Sequence, residues 1–219
     1  MDQVVAIIAD IVGSRELDDR DAAQLELERA FARQHDVAPL LEAFHPTVGD
    51  EFQAVAADIP AALRATLAAR LAFPDGVDCR FGLGLGDSRE VSSSRPDDIR
   101  DGSAWWRARE AIETAHRRMD AGRTTVRTWY VADAAGPASA SASADTVATI
   151  NAYLVMRDHI VSRMKRIDRE LTFGQLAGET QVELARRHGI SQSAISQRLE
   201  RSGGSALLAT VDLTGGSPR

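Results

Sequence analysis

The chain reads as an α+β domain followed by a small all-helical unit. Three observations carry this. Strand and helix signals alternate up to about residue 133, residues 134–145 are almost entirely Ala, Ser, Gly and Pro, and 147–202 is helical throughout. With 219 residues and 44% hydrophobic content, the chain can bury one large core, or a medium one plus a small one. The expected division is an N-terminal domain over 1–133, a linker over 134–146, a helical unit over 147–204 and a poorly ordered tail over 205–219. A short strand over 206–213 is an alternative for part of that tail.

Residues 4–9 are apolar on both faces, as in a fully buried strand. The pattern over 20–43 is helical but breaks at 35–39, which predicts two consecutive helices. Strands over 44–48 and 51–56 flank Gly49-Asp50, a hairpin turn. Asp58 caps a helix with Pro60 in its first turn, running to about 71. Over 78–86, Phe81, Leu83 and Leu85 point one way and Gly82, Gly84 and Gly86 the other. A glycine face implies that a helix or ligand is pressed against the backbone. A loop over 88–101, a helix over 103–119 and a strand over 125–131 complete the order β-α-α-β-β-α-β-α-β, with helices mainly on one face of the sheet.

The net charge of −6 argues against a protein that coats nucleic acid by bulk electrostatics. Charge is unevenly placed, however. Residues 156–202 hold nine Lys/Arg against six Asp/Glu, a balance of about +3 that leaves about −9 elsewhere. Cys79 is the sole cysteine, so no internal disulfide forms and a reducing compartment fits. The run 4–9, ended by Asp10, is not a signal peptide, and no stretch approaches a membrane span. The expectation is a cytoplasmic protein without a membrane partner.

Asp10 ends the first strand and Asp50 sits at the hairpin tip, which places two carboxylates at one edge of the sheet. Two such groups repel unless a cation lies between them, and Mg²⁺ or Mn²⁺ is the expected cofactor. Asp10, Asp50 and the Ile11 carbonyl are the candidate metal ligands, with Glu51 a weaker third side chain. Gly13, Ser14 and Arg15, in the turn that follows, are placed to meet phosphate. The plainer alternative is that Asp10 caps the first helix and Asp50 only makes a turn.

Trp105 and Trp106 open the helix at 103, and the expectation is one in the core and one facing a ligand. Trp106 would stack on a base, with Arg107 or Arg109 on phosphate. Their plainer role is core packing for a Trp and pairing with nearby acids for the arginines. Near the C-terminus, 180–199 has the layout of a helix-turn-helix. Ala185 allows close crossing, Gly189 supplies a positive φ, Ser191 caps the second helix, and Ile190, Ile195 and Leu199 form the seam. Gln181, Ser191, Gln192, Ser193, Ser196, Gln197 and Arg198 are the candidate DNA contacts. The helix over 147–164 is a candidate homodimer interface.

The segments Ile7–Arg15 (IIADIVGSR), Thr47–Val55 (TVGDEFQAV), Arg80–Gly86 (RFGLGLG) and Asp101–Ile112 (DGSAWWRAREAI), with the C-terminal helix pair, resemble the SatD family over nearly the whole length. The first two also resemble the metal-binding segments of class III nucleotidyl cyclases and GGDEF domains, and the helix pair is similar to that of phage repressors. The resemblance implies a ferredoxin-like, cyclase-like palm domain and a nucleotide ligand. Aligned on Gly102, Trp106 and Glu110 stand where working cyclases have Asn and Arg, and Pro46 stands for their base-reading Lys. Cyclisation by that route is therefore not implied. Three functions follow as expectations: a regulator coupling a metal- and nucleotide-binding palm to DNA, a nucleotidyl transferase making a cyclic or oligomeric nucleotide, or a non-catalytic interaction module.

Overall fold

The structure, a computed structural model, describes residues 3–14, 20–47, 49–91, 99–133 and 143–214. Its first strand, β1 (Gln3–Ile11), is apolar on both faces because both are covered. Val5, Ile7, Ala9 and Ile11 face one core, and Ala6 and Ile8 face another. The chain continues through α1 (Arg20–Val37), β2 (Glu42–Pro46), β3 (Glu51–Ala56), α2 (Ile59–Ala72) and β4 (Cys79–Asp87). A ribbon of β5 (Arg89–Val91) and β6 (Ile99–Asp101) precedes α3 (Ser103–Asp120) and β7 (Thr128–Val131). Five helices follow: α4 (Ala144–Arg163), α5 (Arg166–Leu176), α6 (Gln181–His188), α7 (Gln192–Ser202) and α8 (Gly204–Leu213).

The main sheet has the order β2-β3-β1-β4-β7. β1 is antiparallel to both β3 and β4, while β7 runs parallel to β4. The first four sheet strands with α1 and α2 make the expected ferredoxin-like βαββαβ unit. Helices α1 and α2 cover one face through Leu27, Phe31, Leu63 and Leu67. Helix α3 lies on the other, so the helices are mainly on one face, as expected, with α3 the exception. The glycine face of β4 is the reason. A Cβ on Gly82 would come within 2.8 Å of the Ile112 Cβ, so the helix sits where side chains would otherwise stand.

Two local expectations also change. No second helix follows α1: Pro39 cannot donate to a helix, and β2 begins at Glu42 so that Phe44 stacks on Phe31 at 4.2 Å. Within the expected loop 88–101, the β5–β6 ribbon forms and is closed by an Arg89–Asp101 pair at 2.7 Å. Residues 92–98 lie outside the described residues.

The helical part is not a separate body. Leu154 and Val161 of α4, Phe173 and Leu176 of α5, and Leu207 and Val211 of α8 share one core with α1, α2 and the sheet. Of the expected linker 134–146, residues 134–142 lie outside the described residues, and Ser143 already caps α4 through Thr146 N at 3.1 Å. The expected disordered tail is helix α8 up to Leu213, while 215–219 lie outside the described residues. Gly203 (φ +83°) makes that turn possible, since it ends α7 in the left-handed region while sitting against Ile160.

The inward face of helix α4 closes the sheet. β7 is an edge strand, and its outward peptide groups are taken by α4 side chains. Asn151 accepts from Tyr130 N and donates to Tyr130 O, both at 2.9 Å, like a short strand. Asp158, two turns on, accepts from Arg127 N at 2.9 Å and Thr128 N at 2.6 Å. No helix among the described residues is long and apolar enough to cross a membrane.

Candidate functional site

Antiparallel pairing sets Asp10 directly opposite Glu51 on β3 and Arg80 on β4. Opposed residues share a face, so all three side chains stand on the α3 side at one end of the sheet. Arg80 Nε and Nη2 hold the two Asp10 carboxylate oxygens at 2.8 and 3.1 Å. Alongside, Arg109 of α3 holds both Glu51 oxygens at 2.6 and 2.9 Å, and Gln53 donates to Glu51 at 3.0 Å. These are fork-to-carboxylate pairs, the strongest geometry such side chains adopt.

Asp50 lies at the same edge, as expected, and close enough for its charge to act on Asp10. Burial holds the Asp10 carboxyl above its usual range; Arg80 pulls it down, Asp50 pushes it up and His116 pulls it down. Where a metal cation was anticipated between Asp10 and Asp50, the group in contact with Asp10 is the Arg80 guanidinium. Both Asp10 oxygens face a guanidinium, and no group of three His, Cys, Asp or Glu side chains converges among the described residues. This arrangement does not fit a divalent ion, which needs free carboxylate oxygens.

The expected nucleotide residues are not brought together. Gly13 makes an exposed turn at φ +68° beyond the Asp10 end of β1, with Ser14 beside it, and Arg15 lies outside the described residues. Trp105 is buried, its Nε1 donating to Ser88 Oγ at 3.0 Å, so one Trp lies in the core as anticipated, while Trp106 is 66% exposed. Trp106, however, sits on α3 near Gly84, whose β1 partner is Ala6. Four residues of strand, roughly 13 Å, separate that level from Asp10. Arg109, expected on phosphate, is held by Glu51.

A second polar cluster, not anticipated from sequence, ties the sheet to the helical part. Arg70 of α2 holds Asp78 through two bonds at 3.2 and 3.0 Å and reaches Asp158 at 3.2 Å. Arg127 also binds Asp78, at 2.8 Å, and the fully buried Arg157 meets Asp158, Thr128 and Thr66. The one available signal was an Arg157-Asp158 pair inside an otherwise apolar helical run.

Asp10 and Asp78 make opposite contributions against pH. Burial pushes the Asp78 carboxyl up, but Arg70 and Arg127 outweigh it and hold it below the ordinary 3.8. The stability it contributes is present above that pH and is lost as pH falls through the lowered value. For Asp10 the raised value means stability present below 3.8 and lost as pH climbs through it. In urea titrations, the deficit of Asp78→Asn against wild type is expected to shrink as pH drops below about 4, whereas that of Asp10→Asn grows as pH falls towards about 4 and is level below it. Parallel pH slopes for the two variants would refute this assignment.

At the C-terminus, Thr180 and Glu183 form a reciprocal capping box that starts α6. Gly189 ends it in the left-handed region at φ +66°, and the Ser191 hydroxyl caps α7 through Ala194 N. Leu171 of α5 joins Leu184, Ile195 and Leu199 in a small core that sets the angle of the pair. Ser191, Gln192, Ser193, Ser196 and Gln197 are exposed as expected, and Gln181 is half-buried. Arg198 departs from expectation: it turns back to Asp168 of α5 at 2.9 Å, a structural tie rather than an outward contact.

No curated protein matches this chain. Among solved structures, it is similar to a bacterial light-regulated adenylyl cyclase, with 13% identity and a TM-score of 0.39 over 71% of this chain and 57% of that one. The chain thus spans little more than half of that relative. It is also similar to the catalytic core of a rhodopsin-guanylyl cyclase with converted specificity (14% identity, TM-score 0.38, covering 52% of this chain and 72% of that one). A third likeness is to the adenylyl cyclase CyaB from P. aeruginosa, at 16% identity and a TM-score of 0.33, over 52% of this chain and 71% of that one. Residues 4–212, spanning both the sheet and the helical part, match the SatD family, and the chain belongs to that family.

Proposed function

We propose that this chain is a cytoplasmic DNA-binding regulator that acts through α7, with the palm as a non-catalytic body that carries and positions it. One observation supports this above the rest: Gln192, Ser193, Ser196 and Gln197 stand exposed on the N-terminal half of α7 while Ile195 and Leu199 anchor its other side. That is the layout of a recognition helix entering a major groove, where Gln pairs with adenine edges and Ser with either base or phosphate. Exposed Arg186 and Arg201 add positive charge beside it. A symmetric site would be read by two copies.

The test is a mobility shift on duplexes selected from a random pool by the purified full chain. Two glutamine contacts at about 1–3 kcal/mol each predict that Gln192→Ala with Gln197→Ala loses at least about 30-fold in affinity. Failure to enrich any sequence, or equal affinity of the double variant, would overturn the reading.

A second reading, nucleotide binding by the palm, is favoured by the exposed Trp106 on α3. A base stacked on that indole would quench its fluorescence. Titration with ATP and GTP is expected to quench wild type and not Trp106→Phe. An identical response in both removes this reading.

A further inference from the structure

We infer that Arg80 is the resident counter-ion of the acidic end of the palm sheet, standing where Asp10 and Asp50 by themselves would call for a divalent metal. Three features make it a built-in cation rather than a passing surface partner. Strand pairing alone places it, since Arg80 is the residue of β4 opposite Asp10. Its side chain is only 9% exposed, packed on the sheet face that α3 covers. Its fork engages both carboxylate oxygens, so a metal reaching Asp10 must first displace a guanidinium.

The neighbouring acid is treated the same way. Glu51, the residue of β3 opposite Asp10, has both oxygens on Arg109. The row therefore runs Arg109, Glu51, Asp10, Arg80, two acids matched by two arginines. Among the described residues, Asp50 is the carboxylate whose charge acts on Asp10, with Glu113 of α3 beside Arg109, and a single free carboxylate next to Asp10 does not make a tight divalent site. A divalent ion set beside Asp10 would also meet the Arg80 charge at close range in a partly desolvated setting, where repulsion is strong. This inference concerns the palm alone and is independent of DNA binding by α7.

The distinguishing measurement is Mn²⁺ binding, followed by electron paramagnetic resonance on the full chain, together with the melting temperature with and without chelator. Wild type is expected to bind no Mn²⁺ through Asp10 at about 1 mM and to melt at the same temperature with chelator present. Arg80→Gln uncovers Asp10 beside Asp50 and is expected to gain Mn²⁺ affinity by at least about tenfold, a gain removed by adding Asp10→Asn. Wild-type binding below about 1 mM that Asp10→Asn abolishes would overturn the inference, and so would a folded Arg80→Gln with no gain. Wild-type binding that survives Asp10→Asn places the ion elsewhere and upholds it. Should Arg80→Gln fail to fold, wild type against Asp10→Asn still decides.

Discussion

Asp158→Ala is expected to leave the chain largely unfolded at 37 °C. This carboxylate is fully buried, and its two oxygens serve six donors. Oδ2 takes the Arg127 and Thr128 amides at the start of edge strand β7, while Oδ1 takes Arg70, Arg157 and the Thr128 hydroxyl. Deleting it strands the Arg157 guanidinium, 1% exposed, with only neutral partners. An uncompensated buried charge costs about 3–5 kcal/mol. The two orphaned amides add about 1–3 kcal/mol each. Against a total stability of about 5–15 kcal/mol, that is decisive. Asp158→Asn keeps an acceptor for the amides and is expected to lose about half as much. Urea unfolding of both variants checks this; a loss below about 1 kcal/mol for the alanine variant would contradict the network. Because β7 would lose its cover, aggregation should accompany the loss.

Gly84→Ala is expected to be nearly as damaging, for a steric rather than an electrostatic reason. A methyl there would overlap the Ala104 carbonyl oxygen and the Ala108 amide nitrogen, both backbone atoms of α3. No rotamer relieves a clash with backbone, so the helix must lift from the sheet and unpack Ala104, Trp105 and Ile112. Overpacking of this kind costs about 3 kcal/mol or more. Gly122→Ala is the control, with φ +87° but open space, and is expected to cost about 1–2 kcal/mol from backbone strain alone. Thermal unfolding that ranked the control as the worse variant would show that α3 does not sit where the structure places it.

Features set by contacts within a few residues were legible in the sequence. The Gly49-Asp50 turn forms, with Thr47 N donating to the Glu51 carbonyl at 2.8 Å. The Asp58 and Ser191 caps and the left-handed Gly189 are where their chemistry put them. The glycine face of β4 announced a close neighbour correctly but did not say which helix, or that it would take the opposite face from α1 and α2. In the candidate site, Asp10 at a strand end and Asp50 at a hairpin tip follow from local pattern. Arg80 as the partner of Asp10 does not, because the two lie 70 residues apart in sequence and meet only through the β1–β4 register. Shifting that register by one residue would turn Arg80 to the other face.

What the sequence determined by itself is the α+β order, the hairpin, the caps and the polar outward face of α7, since each depends on backbone preferences acting over one or two turns of chain. Only the tertiary structure decided that the helical part shares the core of the sheet and that α4 seals its edge. It alone also decided that the acids of the palm answer to arginines. Charges choose their partners by distance in space, and burial makes that choice binding, because a desolvated carboxylate must be matched by whichever cation the packing brings within reach.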